Sequence, residues 1–154
     1  MKTTLLKDLM LQQGMIDRYF EGHVPLHLWR ALNNKKAASL FAMVEEPFML
    51  SNGRPRPADI RIVDKNGQKW VSVADRPRGI STFDAPGLPD GKDWSYYRIL
   101  AGTVLPAGLA LVRDEFNTRF SATHYTIAPA YDMPLALFKL LLNQLATSAI
   151  KEAA

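Results

Sequence analysis

Three short stretches of this chain place reactive side chains where a strand would normally pack apolar ones. SATHYTI, Ser121 to Ile127, carries an imidazole, a phenol and three hydroxyls. GISTFD, Gly79 to Asp84, contains Ser81 and Thr82, and LHLWRAL, Leu26 to Leu32, contains Arg30 beside Trp29. Burying such groups costs free energy unless they are hydrogen-bonded, so either they satisfy one another or a ligand satisfies them. Taken singly, each is open to the plainer reading of a structural hydrogen bond. Taken together, they are what a dinucleotide pocket could use. Arg30 offers charge to a pyrophosphate, Ser81 and Thr82 offer hydroxyls to sugars, and His124 with Tyr125 offers rings to a nicotinamide.

Other chemistries find less support. Cysteine is absent, which removes thiol nucleophiles, thiolate metal sites and disulfides, and is compatible with a reducing cytoplasm. His23 and His27 are four residues apart, but Pro25 between them spoils the helix that would align them as metal ligands, so no metal is expected. The chain has neither a G-x-S-x-G elbow nor a glycine-rich phosphate loop. Its net charge of +4 comes from 19 basic and 15 acidic residues without a long basic run. That balance permits an anionic ligand or acidic partner and does not by itself indicate nucleic acid.

The elements that must position these residues can be read from the pattern. A chain of 154 residues, 47% apolar and 22% charged, suits one folded domain spanning 1–154. Threes-and-fours periodicity predicts a helix from Thr4 to Phe20, weakened at Gly14 and ended near Gly22. Lys7 and Asp8 interrupt the apolar run there, so no secretory signal and no membrane span are expected. LHLWRAL reads as a buried strand with one cation, Asn34 to Met43 as a short helix, and SNGRPRPAD, Ser51 to Asp59, as a loop. IRIV and KWVSV flank Asn66-Gly67 and predict a hairpin. GISTF, YYRILAG, LALVRD and TRFSATHYTIAP are further extended stretches, separated by proline- and glycine-bearing loops. A last helix follows, with Asp132 as its expected cap and Pro134 in its first turn. Leu137, Phe138, Leu141, Leu142, Leu145 and Ala149 form its apolar stripe, expected to pack on the sheet or a partner rather than on lipid.

These stretches also resemble a known family. NTRFSATHYTIAPA, Asn117 to Ala130, matches the run N-x-R-x-x-A-T-H-Y-T-I-x-P-A, GISTFD matches G-x-S-x-F-D, and Trp29-Arg30-Ala31 matches an aromatic-arginine-alanine run. The segments LAGTVLPAGL and DEFNTRF and the terminal helix extend the likeness over most of the chain after the first helix, weakly between Asn33 and Lys69. The chain is similar to a family of type VI secretion effectors, cytotoxins with an ADP-ribosyltransferase-like fold that a dedicated immunity protein holds in check. The resemblance implies an α+β domain, a mixed or antiparallel β core with an N-terminal and a C-terminal helix. It implies NAD as substrate, and delivery from the cytoplasm of the producing cell to the cytoplasm of recipient bacteria, where an unknown macromolecule is the target. In this family a serine and a histidine at the positions of Ser81 and His124 are tied to toxicity.

Arginine-serine-glutamate transferases use their arginine on the NAD phosphates, their serine strand on the nicotinamide ribose, and a glutamate on a ribose hydroxyl. This chain departs at the last point, since it has no E-x-E or Q-x-E pair. His124 with Tyr125, or Glu115 from the preceding loop, is left for that place, or the protein binds NAD without ordinary transfer. The expected roles are therefore catalytic for Ser81 and His124, and NAD-binding for Arg30, Thr82 and Tyr125. Loss of nicotinamide develops positive charge on the ribose, so a neutral His124 accepting a hydroxyl would help and a protonated one would oppose. An RNA-cleaving toxin and a non-enzymatic binding toxin are the alternatives, although no basic-aromatic stripe suited to RNA is present.

Overall fold

The computed structural model describes residues 3–36 and 39–153. In chain order it contains α1 (Leu6–Gln12), a 3₁₀ turn (Ile16–Arg18), β1 (Tyr19–Phe20), β2 (Leu28–Asn33), β3 (Phe48–Met49), β4 (Pro55–Arg56), β5 (Ile62–Lys65) and β6 (Gln68–Val71). Then come β7 (Ile80–Phe83), β8 (Trp94–Ile99), β9 (Leu109–Asn117), β10 (Ala122–Pro129), β11 (Met133–Pro134), α2 (Leu135–Ala146) and β12 (Ile150–Lys151). The main sheet has seven strands in the order β1-β9-β10-β7-β2-β8-β12. Every pair in it is antiparallel. The α+β expectation is met, with the antiparallel rather than the mixed form of the sheet.

Two apolar clusters hold the layers together. Phe138, Leu142 and Leu145 of α2 are almost fully buried against Leu28, Ile80, Ile99, Leu111 and Ile127. On the other face, Leu6 and Met10 of α1 close over Ala110, Val112, Ala128 and Val73. Burying a leucine-sized side chain stabilises by about 1.5–3 kcal/mol, so α1 is held mainly by these two residues. Among the described residues no helix is long and apolar enough to cross a membrane.

Local chemistry overrides the sequence pattern at four places. The first helix stops far short of Phe20. Gly14 takes φ 72°, the Met15 N–H donates to the Met10 carbonyl at 2.8 Å and the Gly14 N–H to Leu11 at 3.1 Å, a Schellman termination. Tyr19 and Phe20 are then free to pair with Val112 and Leu111. Asn34 to Met43 is not a helix where it is described. Asn33 Oδ1 turns the chain by accepting the N–H groups of Lys35 and Lys36, and the carbonyls of Leu40 and Ala42 accept from Arg30 instead of from a helical turn. Ala37 and Ala38 of that expected helix lie outside the described residues. The 51–59 stretch holds one strand of a short hairpin, with Phe48 opposite Arg56 and Met49 opposite Pro55. Asp132 does not cap α2. Its Oδ1 accepts the Val73 N–H at 2.8 Å, and Pro134 itself occupies the cap position as the chain passes from β11 straight into the helix. The β5–β6 hairpin forms as expected, Asn66 and Gly67 taking φ 52° and 79° in its turn.

Candidate active site

β7 is the hinge of the site. Along β10 it runs in regular register, Thr126 opposite Ser81, Tyr125 opposite Thr82 and His124 opposite Phe83. Toward β2 it pairs only at Trp29–Phe83, and past that pair the two strands separate. A cavity of about 630 Å³ opens there, within the range that holds a small-molecule ligand. Arg30, Ser81, Phe83, Trp94, Phe48 and Arg56 are among its walls.

Alternation along the strands sorts the five expected residues. Ser81 and Phe83 of β7 share one face with His124 and Thr126 of β10. Ser81 is exposed, and its hydroxyl makes no hydrogen bond to a described residue. Thr82 and Tyr125 point to the opposite face. Thr82 is 1% exposed with its hydroxyl donating to the Tyr125 carbonyl at 2.9 Å, and the Tyr125 ring is buried in the α2 core. Neither is among the cavity walls, and the Thr82 hydroxyl bonds across to β10 instead.

Arg30 reaches into the gap between β2 and β7. Its Nη1 donates to the Ser81 carbonyl at 3.0 Å, Nε to Leu40 at 3.1 Å and Nη2 to Ala42 at 3.3 Å. The guanidinium thus ties β7 to the 40–42 segment, whose Ala42 lines the cavity, and an N–H remains on each Nη. Burial lowers its pKa from the ordinary arginine value, opposed by the Asp59 charge and reinforced by Arg56. Asp59 is itself fixed, Oδ1 accepting from Arg56 Nη2 at 3.0 Å and Oδ2 from the Val44 N–H at 2.6 Å. The cavity therefore carries two guanidinium groups held in place by carbonyls and one carboxylate.

His124 is not among the cavity walls. Its ring stands edge to face with Phe83 at 5.4 Å between centroids, one strand further along the same sheet face. Its Nδ1 lies 2.6 Å from Asp114 Oδ2, the same oxygen that accepts the Thr126 hydroxyl at 2.6 Å. Glu115 is directed away, its carboxylate 85% exposed and 3.1 Å from Arg18 Nη1. On the opposite wall, Trp29 Nε1 donates to Glu152 Oε1 at 2.9 Å, so the Glu152 side-chain carboxylate orients one side of the cavity.

Asp114, Asp59, Arg56 and Glu152 are not among the candidate residues read from the sequence. Asp114 meets His124 through a register shift between strands, Arg56 and Asp59 pair three residues apart within a proline-bearing stretch, and Glu152 meets Trp29 from the far end of the chain.

A splayed antiparallel sheet, an arginine in the splay and a serine whose hydroxyl has no partner among the described residues together form a cleft. A family model described as Tse2 ADP-ribosyltransferase toxin matches residues 7–154. Toxin Tse2 of Pseudomonas aeruginosa (strain PAO1) is 28% identical over 145 residues, covering 93% of this chain and 89% of that protein. The match takes in every strand of the sheet and both walls of the cleft, and on it the chain belongs to the Tse2 family of ADP-ribosyltransferase toxins.

Proposed function

We propose that the β2–β7 cleft is where this ADP-ribosyltransferase toxin binds NAD and breaks its nicotinamide–ribose bond. The observation that carries the reading is the shared face of Ser81 and His124 beside the Arg30 clamp. Arg30 and Arg56 supply charge for the pyrophosphate, and Arg30, tied to the Ser81 carbonyl, couples that charge to the serine strand. The Ser81 hydroxyl is available to a ribose hydroxyl. His124 acts from the neighbouring strand, its free ring nitrogen accepting a ribose hydroxyl proton as positive charge develops at the anomeric carbon. Thr82 and Tyr125 hold β7 against β10 and so keep Ser81 and His124 in register. In this reading the toxin is delivered by type VI secretion, acts on a macromolecule in the cytoplasm of recipient bacteria, and is restrained in its producer by an immunity protein.

The test is nicotinamide release from NAD by purified protein in a bacterial lysate, beside Ser81→Ala and His124→Ala with their melting curves. Each variant is expected to keep its fold and lose about 100-fold or more in rate. A folded Ser81→Ala with undiminished release would overturn the assignment of the cleft. RNA degradation without nicotinamide release would replace the reaction altogether.

A further inference from the structure

We propose that Asp114 is a positioning residue for His124, holding the imidazole proton on Nδ1 so that Nε2 stays free to accept from the substrate. The proposal rests on the reading of His124 as a catalytic residue, and its geometric half stands independently of that reading.

The register of β9 against β10 explains why Asp114 is available. Arg113 lies opposite Tyr125 and Phe116 opposite Thr123, so two residues of β9, Asp114 and Glu115, face the single residue His124. This is a β-bulge, which bends its strand and re-aims a side chain. One of the two carboxylates is directed outward to Arg18, and the other lies between His124 and Thr126. The backbone of β10 is pinned at the same level from the other side. Asp84 Oδ1 accepts the Thr123 N–H at 2.8 Å, and the Asp84 N–H donates to the Thr123 carbonyl at 3.1 Å. His124 is thereby fixed on both flanks.

The donor count then sets the tautomer. The Thr126 hydroxyl donates to Asp114 Oδ2, and an ionised carboxylate is acceptor-only, so the imidazole must donate to it as well. With the proton on Nδ1, a neutral imidazole carries its lone pair on Nε2. Nε2 makes no hydrogen bond to a described residue, and the imidazole is 28% exposed, open enough to meet a ligand while its other nitrogen is held. The Thr126 hydroxyl shares the same carboxylate oxygen. The motif run contains His124 and Thr126 but not Asp114, so the bulge brings a third residue to the pair from another strand.

Two measurements test this. Long-range ¹⁵N–¹H spectra of the imidazoles, with His124 assigned by His124→Gln, report its tautomer in the wild-type protein without any substitution at Asp114. The expected result is Nδ1–H, and Nε2–H would overturn the proposal. For Asp114→Ala, the expected outcome is loss of that tautomer preference, kcat lowered about tenfold or more, and KM for NAD within about twofold of wild type, since orientation of a catalytic group matters more in the transition state than in binding. Thr126→Val, which leaves the Asp114–His124 bond in place, is expected to retain Nδ1–H and most of kcat. Should Asp114 merely tie β9 to β10, Thr126→Val and Asp114→Ala would lower stability alike and leave kcat unchanged, which overturns the positioning role. If His124→Ala itself retains full turnover, the catalytic reading fails. The wild-type spectrum then still decides whether Asp114 sets the ring.

Discussion

At the scale of single residues, the absence of a paired glutamate is the chemical question this site raises. Glu115 is the nearest candidate in sequence, and its side chain is turned outward on the bulge into an exposed ion pair with Arg18. Exposed pairs contribute about 0–1 kcal/mol. Glu115→Ala should therefore release nicotinamide at the wild-type rate and melt within a degree or two of it. A loss of turnover with unchanged melting would return Glu115 to the ribose and displace His124. How far residues could be read from sequence follows the same division. Arg30 and Ser81 stood out because a cation and a small hydroxyl interrupt apolar strands, and both line the cavity. Thr82 and Tyr125 stood out for the same reason but satisfy internal needs, because strand alternation sends them to the other face. Asp114 escaped notice because its meeting with His124 depends on a register shift between two strands, which no local pattern encodes.

At the scale of elements, β7 carries the site, and its entry brings backbone directly against backbone at Gly79. A Cβ on Gly79 would fall 1.9 Å from the Ile127 carbonyl oxygen and 2.8 Å from its carbon, so β7 lies against β10 only because that side chain is missing. The obstacle is backbone rather than a flexible side chain, and it cannot swing aside. Gly79→Ala should cost about 3 kcal/mol or more, the upper end of what overpacking does, and should reduce nicotinamide release by pushing Ser81 and Phe83 away from β10 and out of line with His124. Urea unfolding of the variant measures the first effect, and its rate under conditions where it is folded measures the second. An unchanged midpoint would mean that β7 has slack against β10 and does not set the cleft. Elements with strictly local causes were legible: Asn66-Gly67 forced its hairpin, and α2 showed its apolar stripe. The helix expected over Asn34 to Met43 failed because Arg30, ten and more residues earlier, takes the carbonyls of Leu40 and Ala42. The N-terminal helix was overextended because its last residues have a better partner in β9 than in their own next turn.

At the scale of the whole molecule, the sheet order itself was beyond the sequence, since the outermost strands come from the two ends of the chain: β1 beside β9 and β12 beside β8. Closing the sheet this way covers phenols along its breadth, fully at Tyr125 and in part at Tyr19 and Tyr96. Tyr19 on β1, Tyr96 on β8 and Tyr125 on β10 all have pKa values raised above the ordinary 10.0, burial being the largest cause in each. Glu21 adds to the effect at Tyr19 and Asp90 at Tyr96, while at Tyr125 Arg113 opposes it and Asp84 supports it. The sign follows from proton counting. Between the ordinary phenol value and the raised ones, the unfolded chain has released these protons and the folded one still holds them, so raising the pH favours unfolding. This stability is present in full below about pH 10 and is lost as pH climbs through the raised values. The melting temperature should hold to about pH 9 and fall beyond about pH 10. The comparison that isolates a phenol is with Tyr125→Phe. Its ring can fill the same space in the α2 core, and the Tyr125 hydroxyl has no hydrogen-bond partner among the described residues to lose. The variant should melt close to wild type at neutral pH and fall less steeply in alkali. Parallel curves across the alkaline range would mean that the Tyr125 phenol ionises as readily in the sheet as in the open chain, and that the buried face of β10 is wetter than its packing against α2 implies.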